Sequence, residues 1–336
     1  MTMQASPAFT ISGSGAAVPD LVVSNEDLAA SFDDADITAE WIEARTGICS
    51  RRWVSDDQAT SDLAAAAAAA AVTDAGLDAD DIDLVIVATS TSDWPQPHTA
   101  ARVHGLLGMR STAGAFDVDA VCSGWVHALH TAGSLLATTP TWNHVLVVGA
   151  DTYSRMTNPS DHRTRILFGD GAGAIVISSA GTNDRPGILA SYAHTDFSGH
   201  EALIVRGGGS RSPLTPDSLA HGDQFFSMDG RAVREFGTGQ LVAALSACAE
   251  HAGADGIDVV IPHQSNLRML EAACEQAGID TTRMETTIQH YGNTATASIP
   301  ITLDAARRAG RVPTGSLMAL VGYGGGLSAA GLLIRV

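Results

Sequence analysis

The sequence contains no lysine; all 19 of its basic residues are arginine. Schiff-base chemistry and the lysine of a phosphate-binding P-loop are thereby excluded. Cysteine is scarce as well. Cys49, Cys122, Cys248 and Cys274 are too few and too scattered for a disulfide framework or a CxxC zinc site. His127 and His130 stand three apart, but no carboxylate at ligand spacing joins them, so no metal is expected. No apolar run reaches the ~18 residues of a membrane span, and the longest, Leu63–Val72, is mostly alanine. No basic residue precedes Arg45, so no secretory leader is expected. These absences together predict a reduced, cytoplasmic protein. A net charge of −18 argues against nucleic acid and anionic membranes as partners.

A length of 336 residues, with 45% hydrophobic side chains, exceeds what one core ordinarily serves, so two core units are expected. Internal repetition agrees. Ile82-Asp83-Leu84-Val85-Ile86 returns as Ile257-Asp258-Val259-Val260-Ile261, and each copy follows an Ala-Gly pair ending in Gly76 or Gly253. Each half closes on a Gly-rich turn and an apolar strand, Gly173–Ile177 and Gly331–Ile334. The chain therefore divides into related halves, 1–181 and 182–336. Ile82–Ser90 and His144–Ala150 read as buried strands, and Ser61–Ala75 and Thr99–Leu107 as helices. Strands alternating with helices imply an α/β protein with mostly parallel sheets. Arg206–Asp223, rich in Gly, Ser and Pro, reads as a long surface loop of the kind that forms lids.

Three residues stand where chemistry could occur. Cys122 follows a β-prone run, Ala115–Ala120, and precedes helical spacing at Val126, Leu129, Gly133 and Leu136. A thiol at a helix N-terminus faces free N–H groups and the positive end of the dipole, and both favour thiolate. The dipole is worth only about one pKa unit, so a helper, most naturally a histidine, is required. The alternative is a buried structural cysteine. His263, in VVIPHQSN, lies just past a buried strand, where α/β sheets place ligands. Asn293, in HYGNTATASIP, sits in a turn before the apolar helix Ile299–Ala306, and turn chemistry alone could account for it. GDGAGA, Gly169–Ala174, lacks GxGxxG spacing and precedes a strand, so it is not read as a nucleotide site.

Cys122, His263 and Asn293 in this order resemble the β-ketoacyl-acyl carrier protein synthase III family of the thiolase superfamily. EWIEARTGI (Glu40–Ile48), FGDGAGA (Phe168–Ala174), PHQSNLR (Pro262–Arg268), YGNT (Tyr291–Thr294) and YGGG (Tyr323–Gly326) carry the likeness across nearly the whole chain. The resemblance implies a duplicated five-layer αβαβα sandwich and a homodimer. It implies that acyl-CoA acylates Cys122, with an oxyanion hole from the backbone N–H groups of Cys122 and Gly325. A malonyl thioester then loses CO₂, and its enolate oxygen meets His263 and the Asn293 amide as donors. No cofactor is implied beyond the coenzyme A thioester itself. Trp41 and Arg45 match residues holding coenzyme A at the pocket mouth, and Asn266 matches a residue lining the same tunnel.

The sequence also departs from that family. His162 stands where an arginine often stacks the adenine. Gln96 stands where an aromatic often closes the acyl pocket across the dimer, which suggests a more polar acyl group. Arg268 alone remains of a basic patch for acyl carrier protein, with Glu275 and Gln276 where bases are usual. An acidic carrier would meet an acidic surface, which points to a specialised-metabolism relative. Two readings follow. The first is a decarboxylating condensing enzyme. The second is an acyltransferase passing the Cys122-bound acyl group to an amine or hydroxyl of a small molecule. A catalytically dead partner subunit would lack the nucleophile that Cys122 supplies.

Overall fold

The computed structural model describes residues 8–180, 186–253 and 256–336. The proposed boundary at 181/182 lies outside them. The first strand, Phe9–Ala17 (β1), is followed by a small hairpin of Leu21–Ser24 (β2) and Ser50–Trp53 (β3) that encloses Asn25–Ala30 (α1) and Ala39–Thr46 (α2). Ser24 caps α1 in a reciprocal bond with Asp27, and Thr38 accepts from the Trp41 N–H at the start of α2. Then come Thr60–Asp74 (α3), Leu84–Ala88 (β4), Thr99–Leu107 (α4), Gly114–Val118 (β5), Gly124–Thr138 (α5), His144–Thr152 (β6), His162–Arg165 (α6) and Asp170–Ser179 (β7). The sheet they form runs β1-β7-β6-β4-β5.

The second half begins with Gly187–Thr195 (β8), Leu203–Val205 (β9), Pro216–His221 (α7), Phe226–Met228 (β10) and Gly230–Ala252 (α8). Val259–Pro262 (β11), Leu267–Gln276 (α9), Ile288–Tyr291 (α10), Ser298–Arg308 (α11), Leu317–Gly324 (β12) and Ser328–Arg335 (β13) complete it. Its sheet runs β11-β12-β13-β8.

Helices α3 and α4 cover the outer face of the first sheet, where Ala67, Ala71 and Val103 meet Val85 and Val148. Helices α8 and α9 cover the outer face of the second, where Leu241, Leu245 and Leu270 meet Val260 and Leu333. Between the sheets lie α5 and α11, with Trp125, Leu129, Ile299 and Leu303 against Ile86 and Leu320. This is the five-layer αβαβα sandwich. The glycines of GDGAGA serve this packing: a Cβ on Gly173 would stand 2.5 Å from the Ile301 nitrogen of α11.

Two expectations change. The sheets are mixed but not mostly parallel. Among the described strands β4 pairs in parallel with β5 and β6, and β11 with β12, while β1·β7, β6·β7, β12·β13 and β8·β13 are antiparallel. The short link between β12 and β13 can join only antiparallel neighbours. The 206–223 stretch is also not plain loop. β9 and β10 pair as a hairpin, and the arm between them carries α7, with Thr215 as N-cap and Pro216 in its first turn.

Candidate active site

Cys122 does not open a regular helix. A 3₁₀ turn, Val121–Ser123, intervenes between β5 and α5, and Val121 takes φ 47°. A β-branched residue in that region costs about 1–3 kcal/mol, strain typical of functional sites. Gly324 passes close beneath: a Cβ there would stand 3.0 Å from the Cys122 Cβ and 3.3 Å from its Sγ. Burial, with the Asp151 carboxylate second, pushes the Cys122 thiol up, and a backbone hydrogen bond to Cys122 only partly opposes this. The helix terminus therefore does not leave a depressed thiol, because desolvation is the larger effect.

His263 follows β11, and its N–H donates to the Val321 carbonyl at 2.7 Å. Its Nδ1 lies 2.8 Å from the Ser298 hydroxyl at the start of α11. The Tyr323 ring meets it edge-on, centroids 5.5 Å apart, and the Tyr323 hydroxyl is itself hydrogen-bonded to Ser265. Burial pushes the imidazole down to about 3, with the Ala295 backbone opposing, so the ring is neutral near pH 7. It offers no standing positive charge to a thiolate.

Asn293 is held from both sides by Leu167–Gly169. Its N–H donates to the Leu167 carbonyl at 2.8 Å, and its carbonyl accepts from the Gly169 N–H at 3.0 Å. Its Oδ1 accepts from the Ala295 N–H at 2.9 Å, which leaves the NH₂ edge for a ligand. Ala295 also has φ 47°. The only two non-glycine residues with positive φ among those described thus flank Cys122 and Asn293.

Cys122, His263 and Asn293 line one cavity of about 870 Å³, although they come from three distant stretches of chain. Trp41, Arg45, His162 and Asn266 line it too. The Arg45 guanidinium lies 4.9 Å over the Trp41 ring, and His162 meets Trp41 edge-on at 6.3 Å. Asn266 is committed locally. Its Oδ1 caps α9 through the Arg268 and Met269 N–H groups, and its Nδ2 donates to the Arg45 carbonyl at 2.9 Å. Its side chain therefore fixes the mouth of the cavity rather than reaching towards Cys122.

Gly324 of YGGG lines the cavity, and a Cβ on the next residue, Gly325, would stand 3.4 Å from Val121 and 3.5 Å from Leu203, two further lining residues. Two expected residues lie outside the cavity of their own chain. Arg268 is exposed and pairs with Glu271 at 3.3 Å. Gln96 lies in a separate recess with Trp94, His98 and Asp117, so within one chain it does not border the acyl site. The walls near Cys122 are instead aromatic. Tyr153 stacks on Phe168 at 4.6 Å, and Phe226 meets both rings edge-on at 5.5 and 5.2 Å. Of these only Phe168 lay within a recognised motif, because the rings converge from three separate segments.

Comparison with known proteins gives a consistent picture. The family described as 3-oxoacyl-[acyl-carrier-protein (ACP)] synthase III matches residues 116–197, and its C-terminal counterpart matches residues 249–336. The chain is 46% identical to acetoacetyl CoA synthase NphT7 of a Streptomyces species, over 97% of this chain and 98% of the relative. It is 41% identical to beta-ketoacyl-[acyl-carrier-protein] synthase III of Neisseria gonorrhoeae, again over 97% of this chain and 98% of the relative. The crystal structure of 3-oxoacyl-[acyl-carrier-protein] synthase III from Aquifex aeolicus superposes with a TM-score of 0.86 at 33% identity, covering 98% of this chain and all of that one.

Proposed function

Because the chain belongs to the 3-oxoacyl-[acyl-carrier-protein] synthase III family, we propose that it extends a Cys122-bound acyl group with a malonyl thioester. It is an acyl-transferring condensing enzyme. In the first half-reaction Cys122 sulfur attacks the acyl-CoA carbonyl. The carbon–sulfur bond to coenzyme A breaks, and coenzyme A leaves as the free thiol with the proton Cys122 gave up. In the second, the malonyl carboxylate leaves as CO₂ and its electron pair forms an enolate. The His263 Nε2–H and the Asn293 NH₂ donate to the enolate oxygen. The enolate carbon attacks the acyl carbonyl, releasing Cys122 and a β-ketoacyl thioester.

The observation that carries this reading is the orientation of Asn293. With Oδ1 taken by Ala295, its donor edge is the part left to a ligand in the cavity that Cys122 also lines. Transfer to an amine or hydroxyl forms an oxyanion only at the Cys122 thioester carbonyl, as acylation does, whereas condensation adds an enolate oxygen for that donor edge to serve, so condensation is the reading taken forward.

We further infer a coenzyme A-bound extender. Arg268 is already paired with Glu271, and Glu275 and Gln276 follow on the same helix, so an acidic carrier protein finds little to hold there. Acyl-loaded protein given malonyl-CoA or malonyl-carrier protein in separate assays should release CO₂ at least about tenfold faster from the former, read as kcat/KM. CO₂ from neither would defeat condensation; a preference for the carrier would defeat only the extender assignment.

The aromatic trio argues for a short acyl group. Replacing Phe226 by Ala should raise kcat/KM for hexanoyl-CoA relative to acetyl-CoA by about tenfold or more, since each accommodated methylene is worth ~1–3 kcal/mol. Acylation rates across a chain-length series check this.

A homodimer is part of the same proposal. It is supported by β5, an edge strand half-buried along its whole length, beside the recess that holds Gln96 and the half-exposed Trp94. We also take 1–181 and 182–336 as duplicated halves, supported by the similar path of β4 and β11 beside a central strand.

A further inference from the structure

One buried acid takes no part in the chemistry above. Asp151, near the end of β6, has no exposed surface. Its Oδ1 accepts from the Ser90 N–H at 2.9 Å and the Thr91 hydroxyl at 2.8 Å, with the Thr89 and Ser90 hydroxyls at 3.2 Å. Its Oδ2 accepts from the Thr296 N–H at 2.9 Å and the Thr296 hydroxyl at 2.6 Å. Every partner donates. A carboxylate suits such a site, because an amide would turn its NH₂ against other donors.

The two oxygens serve different parts of the molecule. Thr89, Ser90 and Thr91 follow β4 in the half that carries Cys122. Thr296 belongs to the turn that carries Asn293 and the strained Ala295. The Thr296 hydroxyl also lies 3.0 Å from the Ala88 carbonyl. Its carbonyl rests on the bare backbone of Gly149, where a Cβ would come within 2.6 Å of it. The Thr296 methyl faces Gly124, two residues past Cys122.

We propose that Asp151 is a positioning residue: by clamping Thr296 it sets where the Asn293 donor stands relative to Cys122. The proposal rests on the condensation reading of Asn293. The Asn293–Ala295 bond holds the strained residue on one side, and the Asp151–Thr296 bonds hold it on the other. With the second set removed, the turn relaxes and the carboxamide leaves its register with the thioester on Cys122. Displacements of about 1 Å are enough to lower a rate ~10²-fold. Acylation needs Cys122 but not the carboxamide, so the two half-reactions separate. The Asp151 charge also disfavours a Cys122 thiolate, so its removal does not slow acylation.

Thr296→Val keeps the shape and the N–H but deletes the hydroxyl, Thr296→Ser restores the hydroxyl, and Asp151→Asn alters the acceptor. For Thr296→Val, kcat for CO₂ release should fall about 10–100-fold, with KM for the malonyl thioester and the rate of Cys122 acylation within about threefold of wild type. Thr296→Ser should recover most of the loss, and Asp151→Asn should repeat the split. Deuterium exchange supplies a readout independent of activity. In Thr296→Val the peptide spanning Tyr291–Ser298 should exchange at least about tenfold faster, while the peptide carrying Cys122 stays unchanged. Equal loss of acylation and CO₂ release, or unchanged exchange at Tyr291–Ser298, overturns the clamp. Wild-type protein that is acylated but never releases CO₂ would instead overturn the condensation reading, and the exchange result would still decide the clamp.

Discussion

Cys122→Ala is expected to abolish the gain of one acyl mass on incubation with acyl-CoA, and to lower condensation by at least about 10³-fold. The effect is this large because no other side chain can take its place. Cys248 and Cys274 are buried in the second-half core, and Cys49 is not among the cavity-lining residues. Intact-protein mass spectrometry, followed by peptide mapping, reads the result directly. The pH dependence supplies a second check. Burial raises the Cys122 thiol above its ordinary value, so near neutral pH the thiolate is the minor form and its fraction grows as pH rises. His263, pushed down to about 3, stays neutral over the same range and adds no inflection. Single-turnover acylation should therefore climb about tenfold per pH unit between roughly pH 6 and 9. A flat profile, or a bell with a limb near 6.5, would mean that an imidazole takes the thiol proton.

The order of the three chemical residues could be read from the sequence because each sits in a short motif at a strand exit or a turn. The strands were legible for a related reason. Continuous β-branched runs such as Leu84–Ala88 have few other places to go than a sheet interior. The direction of the Cys122 thiol shift was not legible, since it depends on burial among Tyr153, Phe168, Phe226 and Ala295 and, second, on Asp151. Asp151 itself carries no local signal: its partner Thr296 is 145 positions away. The Tyr153–Phe168–Phe226 wall was hidden for the same reason. Gln96 was read by likeness as facing the acyl pocket across the dimer, and in its own chain it lies in a separate recess. The α7 helix was a different kind of omission. Thr215 followed by Pro216 is a helix-start signal in plain view, outweighed by the glycines and serines around it.

Asn293→Asp should suppress CO₂ release about 10²–10³-fold while leaving Cys122 acylation within about threefold. The two side chains have nearly the same shape, so the Ala295 N–H can still be accepted by one oxygen. What changes is the other edge. An NH₂ donor aimed at the developing enolate becomes a carboxylate oxygen, an acceptor with like charge. The loss should therefore fall on the step in which negative charge develops and spare the thiol exchange. Acidity should then partly reverse it. A carboxyl in so closed a place titrates above its ordinary value, and its protonated form can donate an O–H where the amide donated N–H, as buried neutral carboxylic acids do elsewhere. Decarboxylation by acyl-loaded Asn293→Asp protein should accordingly rise as pH falls from about 8 to 5, whereas wild type, with an uncharged carboxamide, shows no such gain. Equal loss of both half-reactions, or a rate that falls with acidity in the variant alone, would contradict a donor role for Asn293.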